Sequence, residues 1–160
     1  MEFSALLTTD SSHFPSYALF DNLTAWLELL RTNYAHFISG SSTYDEATTL
    51  AENILSHVES TRNLLQKTRF AMEQHAILQT RINKVQCRVS VLDLSNCHKW
   101  NHATWNQLQV YTSIQTIFQR CVAKLSIQLV NSCLAVDNSH EHFMDHFDGP
   151  EDEITHVECL

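Results

Sequence analysis

The sequence predicts an all-α protein: an elongated helical hairpin of coiled-coil-like character, preceded by an amphipathic helix and followed by a disordered acidic tail. Three observations carry this. Only 2 Gly and 2 Pro occur in 160 residues, all outside the long periodic segments, whereas turn-rich β folds need these residues as punctuation. From Thr43 to about Leu92 apolar side chains recur at alternating steps of three and four, with no Gly or Pro between. A second such series runs from about Asn101 to Val136. A helix of about fifty residues spans roughly 75 Å at about 1.5 Å per residue, too long for the core of a compact globule of this size. The expected helices lie at about 17–38, 44–93 and 101–136, in one helical unit over residues 1–136, with a tail at 137–160.

Taken in order, residues 1–16 are polar and mixed, with Thr8-Thr9-Asp10-Ser11-Ser12 as a flexible stretch. Phe3, Leu6 and Leu7 form either a terminus folded back on the body or a short hydrophobic docking motif. From Tyr17 to Ile38, Leu19, Phe20, Leu23, Trp26, Leu27, Leu30, Tyr34 and Phe37 draw a broad apolar stripe. Pro15 stands just before it, where a helix tolerates proline. Trp26 is read as core or as an interface anchor. Gly40-Ser41-Ser42 ends the helix.

Thr43 and Glu46 form a capping-box start for the long helix. Its seam runs through Ile54, Val58, Thr61, Leu65, Thr68 and Met72, passes His75 and Leu78, and continues at Ile82, Val85, Val89 and Leu92. The step His75–Leu78 is one three out of turn, a stammer. Leu55, Leu64, Ala71 and Ile77 widen the stripe, which fits contact with two or three other helices better than a two-stranded seam. Thr61, Thr68 and His75 are polar at core positions, where such residues lower stability but fix register. His75 is read as a satisfied interior histidine rather than a pH switch.

Residues 93–104 read as the turn, because Ser95-Asn96 and Asn101 break the periodicity and offer N-caps. In the last helix Leu108, Tyr111, Phe118, Val122, Leu125 and Leu129 form the seam, flanked by Val110, Ile114, Ile117 and Cys121. The second and third helices can then fold back as an antiparallel hairpin. From Asp137 the chain turns acidic and His-rich, and Asp148-Gly149-Pro150-Glu151-Asp152-Glu153 is expected to be disordered.

The net charge of −8 divides into three blocks. Residues 1–59 carry eight acidic side chains against Arg31 alone, a net of −7. Residues 60–125 carry nine basic ones against Glu73 and Asp93, a net of +7. Residues 126–160 carry eight acidic side chains and no Lys or Arg, a net of −8. Such asymmetry suggests electrostatic matching within the molecule or with a partner.

Five cysteines at uneven spacing (Cys87, Cys97, Cys121, Cys133, Cys159) and an N-terminal stretch unlike a secretory signal point to free thiols in a reduced, intracellular and cytoplasmic setting. No apolar run of about 18 residues is present, so no membrane span is expected. Two sets of residues carry metal-ligand donors. Cys87 with Cys97, His98 and His102 has zinc-compatible donors but lacks the close cysteine pair of a zinc finger. His140, Glu141, His142, Asp145 and His146, with His156 and Cys159, read as a solvated tail. Neither is taken as a metal site, and no cofactor is expected.

No phosphate-binding Gly-rich loop, nucleophile elbow or HExxH arrangement occurs, so an enzyme is not expected. The expectation is a non-enzymatic structural or adaptor subunit that assembles with other helical subunits into a hetero-oligomer. Its packing seam is assigned to Trp26, Leu65, Met72, Ile82, Val85, Leu108, Phe118, Val122, Leu125 and Leu129. Small coiled-coil subunits of kinetochore, spindle-microtubule or trafficking complexes have this character, which brings cytoskeletal association into view. Arg62, Lys67, Arg69, Arg81, Lys84 and Arg88 are the candidate contacts for an acidic partner or polymer surface. Lys/Arg runs are missing and the flanks are acidic, so nucleic acid ranks below protein as a partner. The alternatives are an autonomous helical bundle that binds a helical peptide in a groove, and a binder of nucleic acid or acidic polymer through the basic middle.

Overall fold

The computed structural model describes residues 3–7, 14–41, 45–91 and 97–158, with side chains described at 3–7, 14–41, 45–88 and 103–146. The described residues are helical almost throughout: a 3-10 turn at Ser4–Leu6, then α1 (Tyr17–Gly40), α2 (Glu46–Val91) and α3 (Cys97–Glu158).

α1 begins where Ser16, in extended conformation, accepts the Leu19 N–H on its hydroxyl at 3.2 Å. It ends at Gly40, where the Ser41 N–H reaches the Ile38 carbonyl. The start of α2 differs from the Thr43–Glu46 box expected. Thr43 lies outside the described residues, and Asp45 performs the capping, accepting from the Thr48 N–H at 3.0 Å and from the Thr48 hydroxyl at 3.1 Å. A carboxylate one residue before the helix satisfies an orphan amide and sits at the positive end of the helix dipole.

Cross-helix pairs fix the topology. Asp21 and Glu28 of α1 meet Arg69 and Arg62 of α2, so these two helices are antiparallel. Thr61 meets Ser132 and Gln79 meets Gln115, so α2 and α3 are antiparallel too. The core lies where all three helices and the N-terminal turn converge. Phe20, Leu23 and Leu27 of α1 are buried there with Ala51, Ile54 and Val58 of α2 and with Val122, Leu129, Cys133 and Val136 of α3. Phe3 and Leu6 are buried in the same cluster, and the Phe3 ring lies 5.6 Å from that of Trp26. Phe3 and Leu6 are thus folded back on the body.

The third helix is longer than the 101–136 expected. It continues without a break, and residues 137–146, expected as the start of a tail, pack against α1. Val136 and Phe143 are buried, and Phe143 stands edge-on to Tyr34 and Phe37 at 5.0 and 5.4 Å. Val136, His140 and Phe143 keep the steps of four and three, so the apolar seam outlasts the change in overall composition. The helical trace runs on through 148–153, which were expected to be disordered, with side chains there outside the description.

Candidate interaction surface

The two threonines of the α2 seam are satisfied locally. Thr61 and Thr68 are fully buried and lie 2.7 Å from the carbonyls of His57 and Leu64, one turn back, the usual outlet for a threonine inside a helix. Because Thr61 donates to His57, the Ser132 hydroxyl 2.5 Å away donates to Thr61. His75 is buried against the edge of Phe14, with ring centroids 5.0 Å apart, and burial lowers its pKa.

Among the described residues that contact marks the end of the cover that Phe14 and α1 give α2. The pairs between α1 and α2 run from Arg31–Glu59, through Glu28–Arg62 and Asp21–Arg69, to Tyr17 beneath the Arg69 guanidinium, which is 5.4 Å from the ring centre. Beyond His75, α2 continues from Ala76 to Val91, about 24 Å at about 1.5 Å per residue. The Gln79–Gln115 pair sets the stretch of α3 near residues 103–118 opposite it. Among the described residues this part is a two-helix stalk. Leu78, Ile82 and Val85 are buried in its single seam, while Leu108, Tyr111 and Phe118 are only half-buried.

The predicted seam residues therefore fall in two places. Leu65, Met72, Val122 and Leu129 are buried in the three-helix part, where Trp26 and Leu125 are half-buried. Ile82, Val85 and Leu108 lie in the stalk, and Phe118 stands where the two parts join. All of these face neighbours within the chain. The side chains left open are others. Phe70, Ile77, Val110, Ile114 and Ile117 are 38 to 57% exposed. On α3, Val110, Ile114, Ile117 and Cys121 follow steps of four, three and four, so they form one row. On α2 a second series lies outside the core seam: Lys67, Phe70, Gln74, Ile77, Arg81, Lys84 and Arg88, at strictly alternating steps of three and four. In the sequence Ile77 reads only as widening of the first stripe, because this series mixes apolar Phe70 and Ile77 with polar and basic side chains and so carries no hydrophobic period of its own. Lys67 and Phe70 of the first row and Cys121 of the second take part in lining an open groove of about 520 Å³, with Asn63, Gln66, Ala71, Phe118 and Leu125.

The six basic candidates divide likewise. Arg62 is held by Glu28 at 2.5 Å and Glu59 at 3.2 Å. Arg69 is held by Asp21 at 3.0 Å and Glu73 at 3.5 Å. These two join the acidic first block to the basic middle within the molecule. Lys67, Arg81, Lys84 and Arg88 are exposed and form no ion pair among the described residues. Between Glu73 and Asp137 the only carboxylate side chain is Asp93.

No group of three or more His, Cys, Asp or Glu side chains suited to a metal occurs among the described residues. Cys87 is exposed on α2, and the side chains of Cys97, His98 and His102 lie outside the description, as do those of His156 and Cys159. His142 and His146 are exposed one turn apart on α3, whereas His140 is engaged with Tyr34, its Nδ1 2.6 Å from the hydroxyl. No helix among the described residues is long and apolar enough to cross a membrane. Comparison with protein-family models, with curated proteins and with solved structures finds no match.

Proposed function

We propose that this chain is a non-enzymatic structural or adaptor subunit of a multi-protein complex, and that it assembles with other helical proteins through the stalk. The observation that carries this reading is the contrast between the two ends of the hairpin. At one end α1 and the N-terminal turn cover the α2–α3 seam, and Phe20, Leu23, Leu27, Val58, Val122 and Leu129 are fully buried. At the other, the same two helices continue with a single narrow seam and a row of open Val and Ile side chains. Contiguous exposed apolar side chains rimmed by charge mark interaction sites.

The test is affinity purification of the tagged full-length chain from the cells that make it, followed by mass spectrometry. The reading expects a stable set of helical proteins in fixed ratio. Recovery of the tagged chain alone, with the purified protein behaving as a folded monomer, contradicts it.

A second reading rests on Lys67, Arg81, Lys84 and Arg88, which could contact an acidic polymer surface. It expects affinity that falls steeply with salt and vanishes when these four are neutralised.

A further inference from the structure

We infer that the groove on the open side of the hairpin, between Lys67 and Phe70 of α2 and Phe118 and Cys121 of α3, together with the exposed Ile77, Ile114 and Ile117 that follow it toward the stalk, receives an acidic amphipathic helix from another protein. This rests on the subunit reading above and names the surface and the chemistry of the partner.

The chain itself displays the mode of docking. α1 lies on α2 with its apolar stripe inward, and its two carboxylates seven residues apart, Asp21 and Glu28, meet two arginines seven residues apart, Arg69 and Arg62. On the open side α2 repeats that arrangement. Arg81 and Arg88 are seven apart, Phe70 and Ile77 are seven apart, and the whole row keeps the three–four spacing that a packed helix reads. On α3 the groove wall is Phe118, Cys121 and Leu125, and the exposed row Val110, Ile114, Ile117 and Cys121 runs into it. What differs is the occupant: no described segment of the chain lies there.

Charge selects the partner. Residues 76–91 contain Arg81, Lys84 and Arg88 and no carboxylate, and residues 103–118 contain no charged side chain at all. A basic helix would meet like charge along the full length of the stalk, and a neutral one would leave three cations beside a newly dried apolar seam. A helix with apolar residues at steps of three and four and with Asp or Glu seven apart matches both rows. Phe70, Phe118, Cys121 and Leu125 supply the recess for its largest side chain.

The experiment places a photo-crosslinking amino acid at Val110 in the full-length chain, expressed in its own cells, and sequences the crosslinked peptides. Two variants accompany it, Ile114→Asp/Ile117→Asp and Arg81→Glu/Arg88→Glu, all at exposed positions, with circular dichroism to check that each folds. The inference expects crosslinks to a segment with the apolar and acidic spacing given above. It also expects partner recovery to fall about tenfold or more in each variant, and the arginine variant to be rescued by Lys at the partner's acidic positions. A partner that is recovered undiminished by both folded variants overturns the groove while leaving the subunit reading intact. So do crosslinks to a basic segment, to nucleic acid or to a second copy of this chain. Failure to recover any partner with the wild-type chain overturns both.

Discussion

The Tyr34 hydroxyl lies 2.6 Å from Nδ1 of His140, joining α1 to α3 across 106 residues of sequence. The ring of Tyr34 is edge-on to those of both His140 and Phe143, and burial pushes its pKa up to about 12. This contact closes the covered end of the molecule, so its removal should be felt as lost stability. Tyr34→Phe keeps the ring and deletes the bond, and is expected to lower unfolding free energy by about 1 kcal/mol. Urea titration at neutral pH measures it.

The same residue gives an alkaline signature. The unfolded chain releases the Tyr34 proton near pH 10, while the folded chain holds it to about 12. Between those values the folded state binds more protons, so stability falls as pH rises from 10. Tyr34→Phe should flatten that part of the profile. Cys133, also pushed up to about 12 by burial and by Asp137, acts in the same direction and is separated by Cys133→Ala.

His75 governs the acid side. Burial holds its pKa below the usual 6.5, so as pH falls the unfolded chain takes up the proton first. Stability from this group is intact above about pH 6.5 and declines below it. His75→Leu should reduce the slope of stability against pH between about 6.5 and 5. An unchanged slope, measured by thermal melts across that range, would mean that the histidine is free to protonate in place.

Seam and open face should respond differently to truncation. Leu129 is fully buried and Ile117 is 57% exposed. Leu129→Ala should cost about 2–5 kcal/mol through lost burial and a cavity, whereas Ile117→Ala in the isolated chain should change stability by less than about 0.5 kcal/mol. If Ile117→Ala proved as costly as Leu129→Ala, the stalk would be covered in the free protein.

Thiol chemistry offers an independent map. Cys87 and Cys121 are exposed and Cys133 is buried, so brief alkylation of the native protein should modify the first two and spare Cys133. Mass spectrometry of the digested protein reads the sites directly.

Much of this architecture was legible in the sequence because the buried positions repeat. Ile54, Val58, Thr61, Leu65, Thr68 and Met72 keep their spacing whether or not each is apolar, since helix geometry rather than residue type sets which side faces inward. Two kinds of feature escaped. The packing of α3 beyond Val136 was hidden by composition, which averages Asp137, Glu141 and Asp145 with the inward-facing Val136, His140 and Phe143. The Asp45 cap was masked by a Thr43–Glu46 pair with equally good spacing. For the surface, Ile77, Ile114 and Ile117 were visible as flanks, but only the fold shows that the cover from α1 ends with Tyr17 at Arg69, that Phe14 reaches no further than His75, and that these side chains are left exposed. The burial of Phe3 and Leu6 was one of two readings, because three residues are too few to carry a period.

The measurement that bears most directly on the subunit reading is native mass spectrometry of the protein isolated at its natural level from its own cells. The account predicts an assembly in which this chain and other polypeptides occur in a fixed integer ratio. The mass of a single chain would contradict it.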